Sequence, residues 1–202
     1  MPRNVDRTRR LLREAAAVEF AEHGLDGTTV ERIAARAGVN KERLYNYFGD
    51  KASLFSNILT EELSRIADAV PLRIDSLEDV AEFSAQSFDY VADHPDLGRL
   101  VIWEGLSDTG GLPDETARTA LYRQKVEALS AAQDAKIITR AIPAPDLLFL
   151  LLSLSSWWAS APQIARMISG TSNPRSARVE RRAAVAAAAR RLATPDEPPP
   201  LR

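Results

Sequence analysis

An all-helical chain of two domains is predicted by three features of the 202-residue sequence. Apolar residues recur at three- and four-residue spacing in one segment after another. Gly, Pro and Ser/Thr/Asp/Asn stand where such segments start and stop. No run past Pro71 reads convincingly as a strand. The predicted boundaries are 1–52 for a first domain of short helices, 53–193 for a larger helical domain, and 194–202 for a disordered tail that holds four prolines.

Composition narrows the chemistry. At 45% hydrophobic and 27% charged, with mean hydropathy −0.21, the chain has the make-up of a soluble globular protein. The absence of cysteine excludes disulfides, Cys-ligated zinc, iron–sulfur clusters and thiol nucleophiles. With only His23 and His94 as imidazole donors, no metal site or cofactor is expected. The Arg-rich amino terminus has no apolar core of a secretory signal, and the apolar run Leu147 to Ala161 falls short of the ~20 residues of a membrane span. No membrane partner is expected, and a cytoplasmic location is. Net charge is −2 overall but +2 over the first sixty residues, with five arginines among the first thirteen. That asymmetry permits a nucleic-acid-binding first quarter without demonstrating one.

The elements follow in order. Leu12, Ala16 and Phe20, with Leu11 and Ala15, place a first helix over Asp6 to His23, stopped at Gly24. Thr28 and Glu31 form a capping box for a second helix that carries Ile33, Ala34 and Ala37 and ends at Gly38. Asn40 caps a third, short helix to Tyr47, and a fourth runs from Lys51 to Val70. Ser76 with Asp79 caps a helix to Asp93, and Pro95 opens another to Leu106. After a loop over 107–112, Pro113 starts a long helix to Thr139. Asp146 leads an apolar helix to Gly170, and Asn173-Pro174 caps an Ala-rich last helix to Ala193.

Helix, Gly turn and short second helix over Thr28 to Phe48 is the helix-turn-helix arrangement, whose second helix enters the major groove. Ile33, Ala34, Ala37, Val39, Leu44 and Phe48 close a small core with Phe20 and Leu54, leaving Lys41, Glu42, Arg43, Tyr45, Asn46 and Tyr47 outside. Two tyrosines, an asparagine and two cations on one exposed helix supply donors for phosphates and base edges together. A plain helical hairpin with half-buried tyrosines fits the same pattern.

The stretch Thr8 to Leu59 resembles the DNA-binding domain of TetR-family transcriptional regulators. The similarity is carried by Phe20-Ala21-Glu22-His23-Gly24, by Thr28-Thr29-Val30-Glu31-Arg32-Ile33-Ala34, by Ala37-Gly38-Val39 and by Leu44-Tyr45-Asn46-Tyr47-Phe48-Gly49-Asp50-Lys51. The resemblance implies a cytoplasmic homodimer that binds double-stranded, palindromic operator DNA, usually represses, and is released by a small-molecule effector. Carried over residue by residue, it makes Thr28, Thr29, Tyr45, Tyr47 and Lys51 phosphate contacts. Lys41, Glu42, Arg43 and Asn46 fall where relatives read bases, and Asn40 is counted with this set. Arg43 or Lys41 suits guanine, Asn46 adenine, and Glu42 cytosine N4. The amino-terminal arginines fit an adjacent minor groove or a solvated arm equally well, with Arg3 in the latter.

In the same family the last two long helices form a four-helix bundle with their copies in a second subunit. Leu148, Leu152, Val185, Ala189 and Leu192 would face that interface, although an internal core helix explains the apolar run as well. Phe83, Gln86, Tyr90, Trp103, Tyr122 and Trp158 are candidates to line an effector cavity. A helical-bundle enzyme is disfavoured by the lack of a glycine-rich phosphate loop, nucleophile elbow or paired His-Glu spacing. A protein-only adaptor leaves the exposed cations and tyrosines unexplained.

Overall fold

The computed structural model describes residues 2–107, 115–170 and 174–195. Among them the chain forms ten helices and no strand: α1 (Pro2–Gly27), α2 (Val30–Ala37), α3 (Lys41–Phe48), α4 (Lys51–Ala69), α5 (Leu77–Asp93), α6 (Pro95–Leu106), α7 (Glu115–Asp134), α8 (Ala144–Ser160), α9 (Pro162–Ser169) and α10 (Pro174–Ala193). The predicted 107–112 loop beyond Ser107, the Pro113 helix start, the Asn173 cap and the tail beyond Pro195 lie outside the described residues.

Local chemistry sets most boundaries. Gly24 kinks α1 at φ 71°, a left-handed value that a β-carbon disfavours. Gly38 ends α2 in the left-handed region, and the Val39 N–H reaches back to the Ala34 carbonyl at 3.0 Å. At α5, the Ser76 and Asp79 capping box forms as expected.

α1 begins at Pro2 rather than Asp6 and runs past the Gly24 kink to Gly27, and three further boundaries differ from the sequence reading. α7 stops at Asp134 because Lys136 takes a left-handed φ of 60°, and the Gln133 amide donates to the Thr139 and Ile142 carbonyls, tying the following loop to its end. The apolar helix breaks into α8 and α9, bent by 85° at Ala161. Pro162 has no N–H to continue the ladder and opens α9 instead. The cap of α2 is Thr29, whose hydroxyl accepts from the Arg32 N–H at 3.3 Å, leaving Thr28 outside the helix.

The helices group into two compact units, residues 1–65 with 95–118, and residues 66–94 with 119–202. In the first, Leu12, Phe20, Ile33, Leu44, Leu54, Leu59 and Leu100 are fully buried. Phe20 meets Phe55 edge to face at 5.1 Å. Burying one such ring is worth roughly 1.5–3 kcal/mol. α6 and the first turn of α7 sit in this unit because α6 packs on α1 and because Arg118, 5% exposed, is held inside. Its guanidinium donates to both Glu104 oxygens at 2.7 and 2.8 Å and to Thr60 Oγ1 at 3.0 Å. In the second unit Val80, Phe83, Leu129, Leu147 and Leu151 form a core with Ala189 and Ala193. Outside that core, Arg178 and Arg182 of α10 grip Asp89, Asp93 and Glu82 of α5.

No single helix among the described residues is long and apolar enough to cross a membrane.

Candidate nucleic-acid interface

The interface is built outward from one buried acid. Glu19 sits on the buried stripe of α1, four residues after Ala15, and is 3% exposed. Its carboxylate accepts from Thr28 Oγ1 at 2.8 Å, from Arg32 Nε at 3.0 Å and from Arg36 Nε at 2.8 Å. Burial alone would raise its pKa. The hydrogen bonds from Thr28, Arg36 and Arg32 outweigh that, and the carboxyl is held below its ordinary value. α2 is thereby bolted to α1 by side chains spaced one turn apart. Glu19, Glu22 and His23 lie close enough together to hold a cation, but Arg32 and Arg36 already occupy the Glu19 oxygens, and Arg36 also donates to Glu22 at 3.2 Å.

The Thr28 hydroxyl, 1% exposed, is turned inward and donates to Glu19. Its carbonyl accepts from Lys51 Nζ at 2.9 Å, so the ammonium of α4's first residue stands beside the start of α2. Thr29 is exposed at the α2 N-terminus.

Across the Gly38 turn, Asn40 caps α3 by accepting from the Glu42 N–H at 3.3 Å. Leu44 is the one fully buried residue of α3 and pins it to the core, while Lys41, Glu42, Arg43, Tyr45 and Asn46 are exposed. Lys41 pairs with Glu31 of α2 at 3.1 Å, which raises its pKa. Arg43 Nη1 donates to the Tyr47 hydroxyl at 3.2 Å, one turn along the same face. Tyr47 and Phe48 are half-buried, edge to face at 6.4 Å, with the Arg9 guanidinium 5.7 and 5.9 Å from their ring centres. Glu19 was not singled out from sequence, and Arg9 was counted only as one of the amino-terminal arginines. An acid in an apolar stripe with two arginines at i, i+4 on the next helix was the available signal for Glu19, and the basic cluster of the first thirteen residues was the signal for Arg9.

The other predicted sites are placed differently. Leu148, Val185 and Ala189 are buried within the second unit. Leu152 and Leu192 are half-buried against the same core. The apolar side chains that α8 leaves exposed are Phe149, Leu150 and Trp157, and α10 adds Val179. Among the ligand candidates, Trp103 belongs to the first unit, where its indole N–H donates to the Ala21 carbonyl at 3.3 Å. Phe83 is buried under Lys125, whose ammonium is 5.1 Å from the ring centre. Tyr90 stacks on His94 at 4.0 Å. Gln86 is exposed and donates to Glu82 at 3.1 Å, Tyr122 is exposed, and Trp158 is half-buried beneath Arg181.

Comparison with known proteins places the geometry. Residues 12–58 match the family model for bacterial regulatory proteins of the tetR family, and residues 79–191 match the model for the tetracyclin repressor-like C-terminal domain. The HTH-type transcriptional repressor SCO4008 of Streptomyces coelicolor is 41% identical over 169 residues, spanning 83% of this chain and 86% of that protein. The HTH-type transcriptional regulator RutR of Escherichia coli is 29% identical over 175 residues, 84% of this chain and 82% of its own. Among solved structures, SCO4942 of Streptomyces coelicolor superposes with a TM-score of 0.76 at 29% identity, covering 92% of this chain and 98% of that one. With an exposed α3 carried on an acid-anchored α2 and both halves of the chain matched, the protein belongs to the TetR family of DNA-binding, helix-turn-helix transcriptional regulators.

Proposed function

We propose that the protein is a homodimeric repressor that reads an inverted-repeat operator with α3 and releases it when a small organic effector binds the second unit. The observation that carries the DNA half is the exposure of Arg43, Tyr45 and Asn46 on a helix whose only deep anchor is Leu44. Arg43 reads guanine O6 and N7, Asn46 reads adenine, and Lys41 leaves Glu31 for a base or phosphate. Thr29, Tyr45, Tyr47 and Lys51 hold the backbone. Binding chromosomal DNA puts the protein in the cytoplasm.

Two features support the other half. Phe149, Leu150 and Trp157 form an exposed apolar strip on α8 that a second copy would cover in a two-fold bundle. A dimer then sets its two α3 helices for successive major grooves, about 34–36 Å or a multiple apart. For the effector, the hydroxyls of Ser84 and Ser87 in α5 are buried and without a partner among the described residues. Other helical serines, such as Ser64, Ser155 and Ser156, donate to the carbonyl four residues back. Two orphan hydroxyls inside a core each cost about 1–3 kcal/mol unless a ligand satisfies them. B. subtilis FadR, with the same fold at 14% identity, was solved in complex with stearoyl-CoA.

The test is a mobility shift with DNA flanking the protein's own gene. Lys51→Ala should weaken binding to every sequence and flatten the slope of log K against log salt by about 0.9. An effector that weakens DNA binding tenfold, about 1.4 kcal/mol, must itself bind ten times more weakly to the operator complex.

A further inference from the structure

We infer that Arg9 is a DNA-backbone contact lying outside the helix-turn-helix, held ready for a phosphate by the rings of Tyr47 and Phe48. The inference rests on α3 being the DNA-reading helix. α1 is already helical at its start, from Pro2, so the basic amino-terminal residues are carried on a packed helix rather than on a loose arm. Arg9 is exposed, and its guanidinium lies 5.7 Å from the Tyr47 ring centre and 5.9 Å from that of Phe48. That puts a cation at the end of α3, next to the tyrosine that Arg43 also holds.

Charge pairing leaves Arg9, like Arg43 and Lys51 of the proposed DNA face, without a carboxylate partner among the described residues. Arg10 pairs with Glu14, Arg13 with Glu61, Arg32 and Arg36 with Glu19, and Lys41 with Glu31. Arg9 pairs with no carboxylate among the described residues; what holds it is two ring faces. A guanidinium over aromatic rings is fixed in place while its N–H donors stay available to an anion, so little order is lost when phosphate arrives. The ligand is the phosphodiester backbone flanking each half-site.

The experiment is fluorescence anisotropy with a labelled duplex of about thirty base pairs from DNA flanking the protein's own gene, titrated between about 50 and 200 mM salt. Arg9→Ala should flatten the slope of log K against log salt by about 0.9, equally for A·T-rich and G·C-rich flanks, and Arg9→Lys should restore most of it. In a Tyr47→Ala background the fold-loss caused by Arg9→Ala should shrink. Should Arg9→Ala melt early, Arg9→Gln keeps the stem over the rings and carries the same test. An unchanged slope overturns the inference, as does a loss confined to A·T-rich flanks, which marks minor-groove insertion. Binding by the wild type with Arg9→Ala unchanged defeats this inference alone. Absence of salt-dependent binding by the wild type defeats the recognition-helix reading beneath it.

Discussion

The indole of Trp103 lies where a side chain on Gly24 would have to go. Its ring atoms stand 2.6 and 2.7 Å from the position of a β-carbon on Gly24, and its N–H donates to the Ala21 carbonyl at 3.3 Å. Glycine is therefore required twice at this kink, once for φ of 71° and once for the ring. Gly24→Ala should cost about 2–4 kcal/mol, combining left-handed strain with overpacking. Thermal melts of Gly24→Ala, Trp103→Ala and the double variant check it. The alanine should cost less once the ring is gone, and strictly additive losses would show that the contact is not shared.

Glu19 makes stability depend on acid. Its folded pKa lies below the ordinary value of 4.5 because three side-chain hydrogen bonds outweigh burial. The contribution is thus present above the unfolded pKa and lost as pH falls through the folded one. Glu19→Gln should lower stability by about 2 kcal/mol near neutral pH. It should also flatten the decline below about pH 4.5. Chemical denaturation at several pH values measures both, and an unchanged acid limb in Glu19→Gln would place the titrating group elsewhere.

The dimer face separates two substitutions on different surfaces. Phe149 is 73% exposed, whereas Val185 is 2% exposed. Phe149→Glu should give a folded monomer, because the charge disrupts only the covered apolar strip. Val185→Glu should unfold the second unit. Sedimentation velocity with circular dichroism distinguishes them, and a stable Phe149→Glu dimer moves the interface off α8.

Ser84 and Ser87 offer a test with inverted sign. Replacing an orphan buried hydroxyl by a methyl group removes a desolvation cost, so Ser84→Ala and Ser87→Ala should leave the ligand-free protein as stable or more so, by up to about 1 kcal/mol each. The same changes should weaken effector binding. Loss of stability in calorimetry would mean that the hydroxyls have internal partners.

Much of this was legible in the sequence because short-range chemistry decides it. Gly38 and Asn40 announced the turn and cap, Ser76 with Asp79 announced α5, and the apolar spacing around Phe20 and Leu44 announced the first core. What stayed hidden depends on contacts between distant residues. The Thr28 and Glu31 spacing satisfies a capping box, but Glu19 takes the Thr28 hydroxyl from nine residues away and shifts the cap to Thr29. Trp103 meets Ala21, 82 residues earlier, a pairing that no local pattern in the sequence announces. Periodicity marks Val185 and Ala189 as buried without saying whether the cover comes from the same chain or a second one.

The central claim is that α3 reads DNA through Arg43, and a base-pair substitution scan of the operator with wild type and Arg43→Ala tests it most directly. Wild type should discriminate at each half-site position, and Arg43→Ala should lose about 1–3 kcal/mol at one base pair per half-site while its discrimination elsewhere and its salt slope persist. A loss spread evenly over all sequences, or no loss at any position, contradicts it.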